Sequence, residues 1–131
     1  MPHVEVERQR TILVVDDDLM TRDLIRLILK QTKLQVFEAV DGFDALEKIR
    51  HRMPDLVLLD AMMPRMDGFT VCKTLRSEEK TADLPIIMLS TRADQKARSQ
   101  GEKLQATKYL TKPILPSTLI EVIHQTLGIS T

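Results

Sequence analysis

Apolar residues along the chain come in two textures. Some form short continuous runs, and others recur every three or four positions. The first run, TILVV at residues 11–15, has the pattern of a strand buried on both faces. Residues 20–31 follow, with Leu24, Ile25, Leu27 and Ile28 at helical spacing. Residues 34–39 read as a second strand, and polar Gln35 and Glu38 inside it point to a sheet edge. Asp41 is placed to cap a helix reaching about residue 50, with Phe43, Leu46 and Ile49 on one face. DLVLLD at 55–60 is a third strand, and a turn at 64–68 leads into a helix over 69–76. Pro85 opens a fourth strand over 86–90. The spacing then predicts a weak fourth helix over 93–104, offering only Ala93, Ala97, Gly101 and Leu104 to a core. A poorer fifth strand spans 106–110, and Pro116 suits the first turn of a last helix that Gly128 closes.

Five strands alternating with five helices predict an α/β domain, with a parallel five-stranded sheet covered on both faces. The pattern favours, without fixing, a flavodoxin-like doubly wound (βα)5 sandwich of strand order 2-1-3-4-5. In that order ligands bind beyond the carboxyl ends of strands 1 and 3, where the order reverses. The 131 residues suit one domain over 11–131, after a polar N-terminal extension over 1–10. That extension lacks the apolar core of a signal peptide, and no apolar run approaches the roughly 20 residues of a membrane span. A cytoplasmic location without a membrane span is therefore the expectation. Cys72 is the single cysteine, which excludes an intramolecular disulfide, and it reads as a small packing residue. Nineteen basic residues balance nineteen acidic ones, so direct nucleic-acid binding is not expected of this chain. His3, His51 and His124 are scattered, without metal-ligand spacing.

The polar residues that follow the strands carry the candidate chemistry. Strand 1 runs into Asp16, Asp17 and Asp18, and strand 3 ends in Asp60. Strand 4 ends in Ser90 and Thr91, and strand 5 is followed by Thr111, Lys112 and Pro113. Taken singly, each has a bland explanation as a cap, a solvated loop or an exposed lysine. Together, at the same end of four strands, they would share one crevice. Carboxylates crowded there repel unless a cation joins them. An all-oxygen site with few protein ligands suits Mg²⁺, which tends to share phosphate oxygens. Lys112 adds a fixed positive charge and Ser90 a hydroxyl donor. A carboxylate in this setting can attack phosphorus and form an acyl phosphate, and Asp60 is the central candidate.

Four stretches in this order, ILVVDDD, DLVLLDAMMPRMDG, PIIMLST and YLTKP, resemble the receiver domains of bacterial two-component response regulators, of the chemotaxis-regulator kind. The resemblance runs over about residues 11–127. It implies that Asp60 is the phosphoacceptor. It implies that Asp16, Asp17 and Asp60 hold Mg²⁺ together with the backbone carbonyl of Met62. Ser90 matches the switch hydroxyl, Lys112 the lysine that pairs with the phosphoryl group, and Tyr109 the aromatic switch. Pro113 matches a proline whose preceding bond is often cis. Thr91 stands where a small residue is usual; its backbone N–H would reach a phosphoryl oxygen, while its side chain would crowd the site. Gln105 replaces a usual glycine before strand 5. Met62 and Arg92 match the two positions expected to tune the lifetime of the acyl phosphate.

The implied function is a switch in a two-component phosphorelay. A histidine kinase or histidine phosphotransfer protein would supply the phosphoryl group. The output would be a protein target bound on the face of helix 4, strand 5 and helix 5, either by a monomer or through a phosphorylation-dependent dimer. Such a domain catalyses its own phosphorylation and dephosphorylation without being a turnover enzyme. The alternative is a pseudo-receiver, an interaction module not regulated by phosphorylation; the intact Asp16, Asp17, Asp60, Ser90 and Lys112 weigh against it. A phosphatase of similar topology would want a second Asp where Met62 stands. A flavin protein would not place three aspartates at a phosphate loop. Whether the receiver stands alone or belongs to a longer regulator is open from the sequence.

Overall fold

The computed structural model describes residues 8–91 and 106–129. Five parallel strands, β1 (Thr11–Val15), β2 (Gln35–Ala39), β3 (Leu56–Asp60), β4 (Ile86–Ser90) and β5 (Lys108–Thr111), form one sheet of order β2-β1-β3-β4-β5. The doubly wound order favoured by the sequence is the one observed. Helices α1 (Leu19–Leu29), α2 (Gly42–His51), α3 (Gly68–Ser77) and α4 (Pro116–Leu127) connect or follow the strands. A single 3-10 turn at Glu79–Thr81, not foreseen from the sequence, leads toward β4. The expected helix over 93–104 lies outside the described residues, so α4 is the last helix of the sequence reading.

Alternation along the strands sorts the core into two layers. Leu13, Val15, Val57, Leu59, Ile86 and Met88 face α2 and α3, whose Ala45, Leu46, Ile49, Val71, Cys72 and Leu75 cover them. Ile12, Val14, Leu56, Leu58, Ile87 and Leu89 face α1 and α4 through Ile25, Ile28, Leu29, Leu119 and Ile123. The central strands β1, β3 and β4 are buried along their whole length, which is why they read as continuous apolar runs. Each such side chain contributes about 1.5–3 kcal/mol by leaving water. Edge strand β2 is only partly buried, in keeping with Gln35 and Glu38.

Two helix faces differ from the periodicity reading. In α1 the buried stripe is Arg22, Ile25, Ile28 and Leu29, while Leu24 and Leu27 are 55% and 65% exposed. In α2 Phe43 is exposed, and Ala45 takes the core position beside Leu46 and Ile49. Both helices offer more apolar positions than one face can bury, and the register follows the best fit to the sheet. β5 begins later than expected, at Lys108. Cys72 packs in the core, as anticipated. Among the described residues, no helix is long and apolar enough to cross a membrane.

Candidate functional site at the carboxyl ends of the strands

Register brings the polar strand ends together. Val15 pairs with Leu59, so Asp16 and Asp60 leave adjacent strands at the same level. Asp60 pairs with Leu89, and Ser90 pairs with Thr111, the residue before Lys112. The Lys112 backbone N–H donates to the Ser90 carbonyl at 2.9 Å, extending that ladder by one step. The Lys112–Pro113 bond is cis.

Lys112 Nζ donates to Asp60 Oδ1 at 2.7 Å. Asp16, Asp17 and Asp60 each present a carboxylate oxygen, all within 4.8 Å of one another. Asp16 and Asp60 are buried and Asp17 is exposed. Burial pushes the Asp16 carboxyl above its ordinary range; the Asp18 N–H opposes this and the charge of Asp60 adds to it. Burial likewise raises Asp60, against the pull of Lys112 and of the Met62 N–H. Asp16 Oδ1 accepts the Asp18 N–H at 2.9 Å, but its buried Oδ2 has no hydrogen-bond partner among the described residues. A buried carboxylate oxygen left bare beside two other carboxylates is costly. The donor set is all oxygen, so the residues fit a hard divalent cation such as Mg²⁺.

The third aspartate of the run has another job. Asp18 caps α1, accepting from the Met20 N–H at 3.2 Å and the Thr21 hydroxyl at 2.8 Å. The hydroxyl of Thr21, then the N–H of Met20, hold its carboxyl below the ordinary range.

The other predicted residues are placed as follows. Ser90 is fully buried at the end of β4, and Thr91 is exposed beside it. Met62 is 55% exposed, two residues beyond Asp60. Tyr109 is half-buried against the α2–α3 side of the core, and its hydroxyl accepts the Ala106 N–H at 3.5 Å. Arg92 and Gln105 lie outside the described residues.

Three supports escaped the sequence reading. Arg22 is buried; its Nη1 donates to the Asp16 carbonyl at 2.7 Å and its Nε to Glu38 at 3.0 Å. It sits three and seven positions before the buried Ile25 and Leu29, so its place on the core stripe was legible. Gly68 lies so close under β3 that a Cβ there would stand 2.2 Å from the Asp60 carbonyl oxygen. Arg65, in the left-handed region at φ 69°, reaches Asp41 at 2.6 Å and ties the loop after β3 to the start of α2.

Residues 12–124 match the response regulator receiver domain family. The DNA-binding dual master transcriptional regulator RpaA of Synechocystis is 42% identical over 102 residues, which cover 78% of this chain and 42% of that protein. The phosphate regulon transcriptional regulatory protein PhoB of Escherichia coli is 37% identical over 111 residues, 85% of this chain and 48% of PhoB. The chain thus spans about half the length of the curated relatives it matches. Among solved structures, chemotaxis protein CheY4 of Vibrio cholerae superposes with a TM-score of 0.82 at 30% identity, covering 91% of this chain and 99% of that one. The receiver domain of a Pseudomonas aeruginosa sensor histidine kinase, solved with a magnesium ion in its active-site cleft, gives 0.83 at 26% identity, covering 92% and 99%.

Proposed function

The chain belongs to the response regulator receiver domain family, and on that premise we propose that it is a phosphorelay switch whose phosphoacceptor is Asp60. The observation that carries the reading is the Lys112–Asp60 contact at 2.7 Å beside the clustered carboxylates of Asp16 and Asp17. The phosphoryl donor is a phosphohistidine on a histidine kinase or histidine phosphotransfer protein. A carboxylate oxygen of Asp60 forms the new O–P bond as the donor's P–N bond breaks. The electron pair stays on the imidazole nitrogen, and a proton on the other ring nitrogen lets the imidazole leave neutral.

Asp16, Asp17, Asp60 and the backbone carbonyl of Met62 would hold Mg²⁺. When bound, the cation neutralises charge on the carboxylates and on the phosphoryl oxygens. Lys112, already on Asp60, transfers its contact to the phosphoryl group. The Ser90 hydroxyl and the Thr91 N–H supply further donors. Water later attacks phosphorus and returns Asp60 and inorganic phosphate. Met62 at the mouth, with Arg92, sets the rate of that step, and replacing both should change it.

Switching requires contacts that exist in one state only. The phosphoryl dianion recruits Ser90 and Lys112, and Tyr109 follows the space that Ser90 vacates. This links the site to β5 and to the partner-binding face expected around it. The partner is a protein. RpaA and PhoB are named as transcriptional regulators, and the near balance of charge here leaves DNA contact to other segments or other chains.

Intact mass after incubation with acetyl phosphate tests the reading. One phosphoryl adduct is expected with Mg²⁺, and none with a chelator or in Asp60→Asn. A folded protein that takes no adduct under any of these conditions would be a pseudo-receiver.

A further inference from the structure

The amino ends of the strands, opposite the aspartate cluster, carry a cavity. It has a volume of about 450 Å³ and is lined by Arg8, Arg10, Lys33, Leu34, His124 and Ile129. Arg10 precedes β1 and Asp16 follows it, so the two sites are about 20 Å apart along the strand. A ligand here would not compete with chemistry at Asp60.

The lining combines cationic and apolar side chains. Arg8 is engaged by Asp55 at 2.6 Å, so its charge is largely cancelled. Arg10 and Lys33 have no acidic partner among the described residues. Arg10 is half-buried, where a charge acts more strongly on a ligand than it would in open solvent. His124 carries a buried Nδ1 with no hydrogen-bond partner among the described residues. Leu34 and Ile129 supply the apolar wall.

The walls are held from several sides. Gln9 Nε2 donates to the Lys33 carbonyl at 3.0 Å, joining the lead-in to the α1–β2 loop. The Gln35 N–H donates to the Arg10 carbonyl at 2.9 Å. Gly128, left-handed at φ 70°, turns the chain so that the Ile129 N–H returns to the His124 carbonyl at 2.8 Å. The cavity is therefore formed before any ligand arrives, and its volume is within the range of small-molecule sites.

We propose that this cavity binds a small organic anion, with its phosphate or carboxylate head on Arg10 and Lys33 and its apolar body against Leu34 and Ile129. Guanidinium and ammonium groups recognise either head, and the apolar wall selects against the bare inorganic ion.

The test is a titration of the ¹⁵N-labelled full chain with phenyl phosphate, phenylacetate, inorganic phosphate and benzyl alcohol. Saturable shifts are expected at Arg10, Lys33, Leu34 and Ile129 with one or both aryl anions. Which aryl anion binds more tightly identifies the head group. Inorganic phosphate should bind at least about tenfold more weakly and benzyl alcohol not at all. Arg10→Gln with Lys33→Gln should weaken the aryl anion about tenfold or more, while Lys73→Gln, on exposed α3 surface, should leave it unchanged. Equal affinity for inorganic phosphate would mean an adventitious ion only. That result, absence of saturable shifts, or indifference to the double substitution would overturn the proposal. None of these outcomes bears on Asp60, whose acetyl phosphate adduct is read separately.

Discussion

Asp16→Asn should stabilise the metal-free protein while impairing its response to Mg²⁺. Asp16 is 2% exposed, and its carboxyl is raised by burial and by the nearby charge of Asp60. Asparagine can keep the Oδ1 acceptor for the Asp18 N–H, now at 2.9 Å. Its amide would replace the unpartnered Oδ2 with a donor facing two carboxylates. Relieving one buried polar atom of this kind recovers about 1–2 kcal/mol. For a chain of this size that corresponds to a rise in Tm of about 3–8 °C. The pH dependence has a definite sign. The folded-state carboxyls of Asp16 and Asp60 lie above their ordinary range, so their contribution is fully present below about pH 4 and is lost as pH rises through the folded-state values. Metal-free wild type should therefore lose stability from this cluster as pH rises above about 4 and through the folded-state values, and Asp16→Asn should flatten that loss. Mg²⁺ at ten times its Kd should add about 1.4 kcal/mol to wild type and much less to the variant. Thermal melts at several pH values, with and without Mg²⁺, measure all of this. An Asp16→Asn protein no more stable than wild type at pH 7 without metal, or one with an unchanged Mg²⁺ increment, would refute the reasoning.

Gly68→Ala should cost about 2–4 kcal/mol in urea unfolding and slow phosphorylation, because the new Cβ meets the Asp60 backbone rather than a side chain that can yield. Arg22→Met should cost about 1–3 kcal/mol, since the Asp16 carbonyl loses its buried donor, while Arg26 still holds Glu38 at 2.6 Å; weaker Mg²⁺ binding, read by titration calorimetry, should accompany it. Although burial opposes it, Arg8 and Thr11 keep the Asp55 carboxyl below its ordinary range, so Asp55 stabilises above about pH 4 and ceases to as pH falls through its folded-state value. Asp55→Asn should therefore be less stable than wild type at pH 7 by about 1 kcal/mol, with the gap closing in melts below about pH 4.

The fold was legible wherever burial is two-sided. TILVV, LVLL and IIML read as central strands because they are short, continuous and bounded by polar residues, and a sheet covered on both faces buries every residue of such a run. Helix faces were less legible. Leu24 and Leu27 share the spacing of Ile25 and Ile28, and periodicity cannot choose between neighbouring stripes that are both apolar. The exposed Leu19, Met20, Leu24 and Leu27 leave α1 with an apolar outer edge that composition did not foretell. The site was legible through its ends: Asp60 and Ser90 end their strands, Asp16 and Lys112 follow theirs, and parallel register delivers them to one level. Its supports were not. Gly68 reads as a turn glycine, and only the tertiary approach of its backbone to Asp60 reveals why no side chain fits. The grip of Arg22 on the Asp16 carbonyl likewise depends on the angle at which α1 returns across the sheet.

Trapping the acyl phosphate with borohydride tests the central claim most directly. The reagent reduces a phosphorylated aspartate to homoserine with release of phosphate, and peptide mass spectrometry then locates the change. After treatment with acetyl phosphate and Mg²⁺, homoserine is predicted at position 60 and nowhere else. Its appearance at Asp16 or Asp17 instead, or its absence from a folded protein that carries a phosphoryl adduct, would contradict the account.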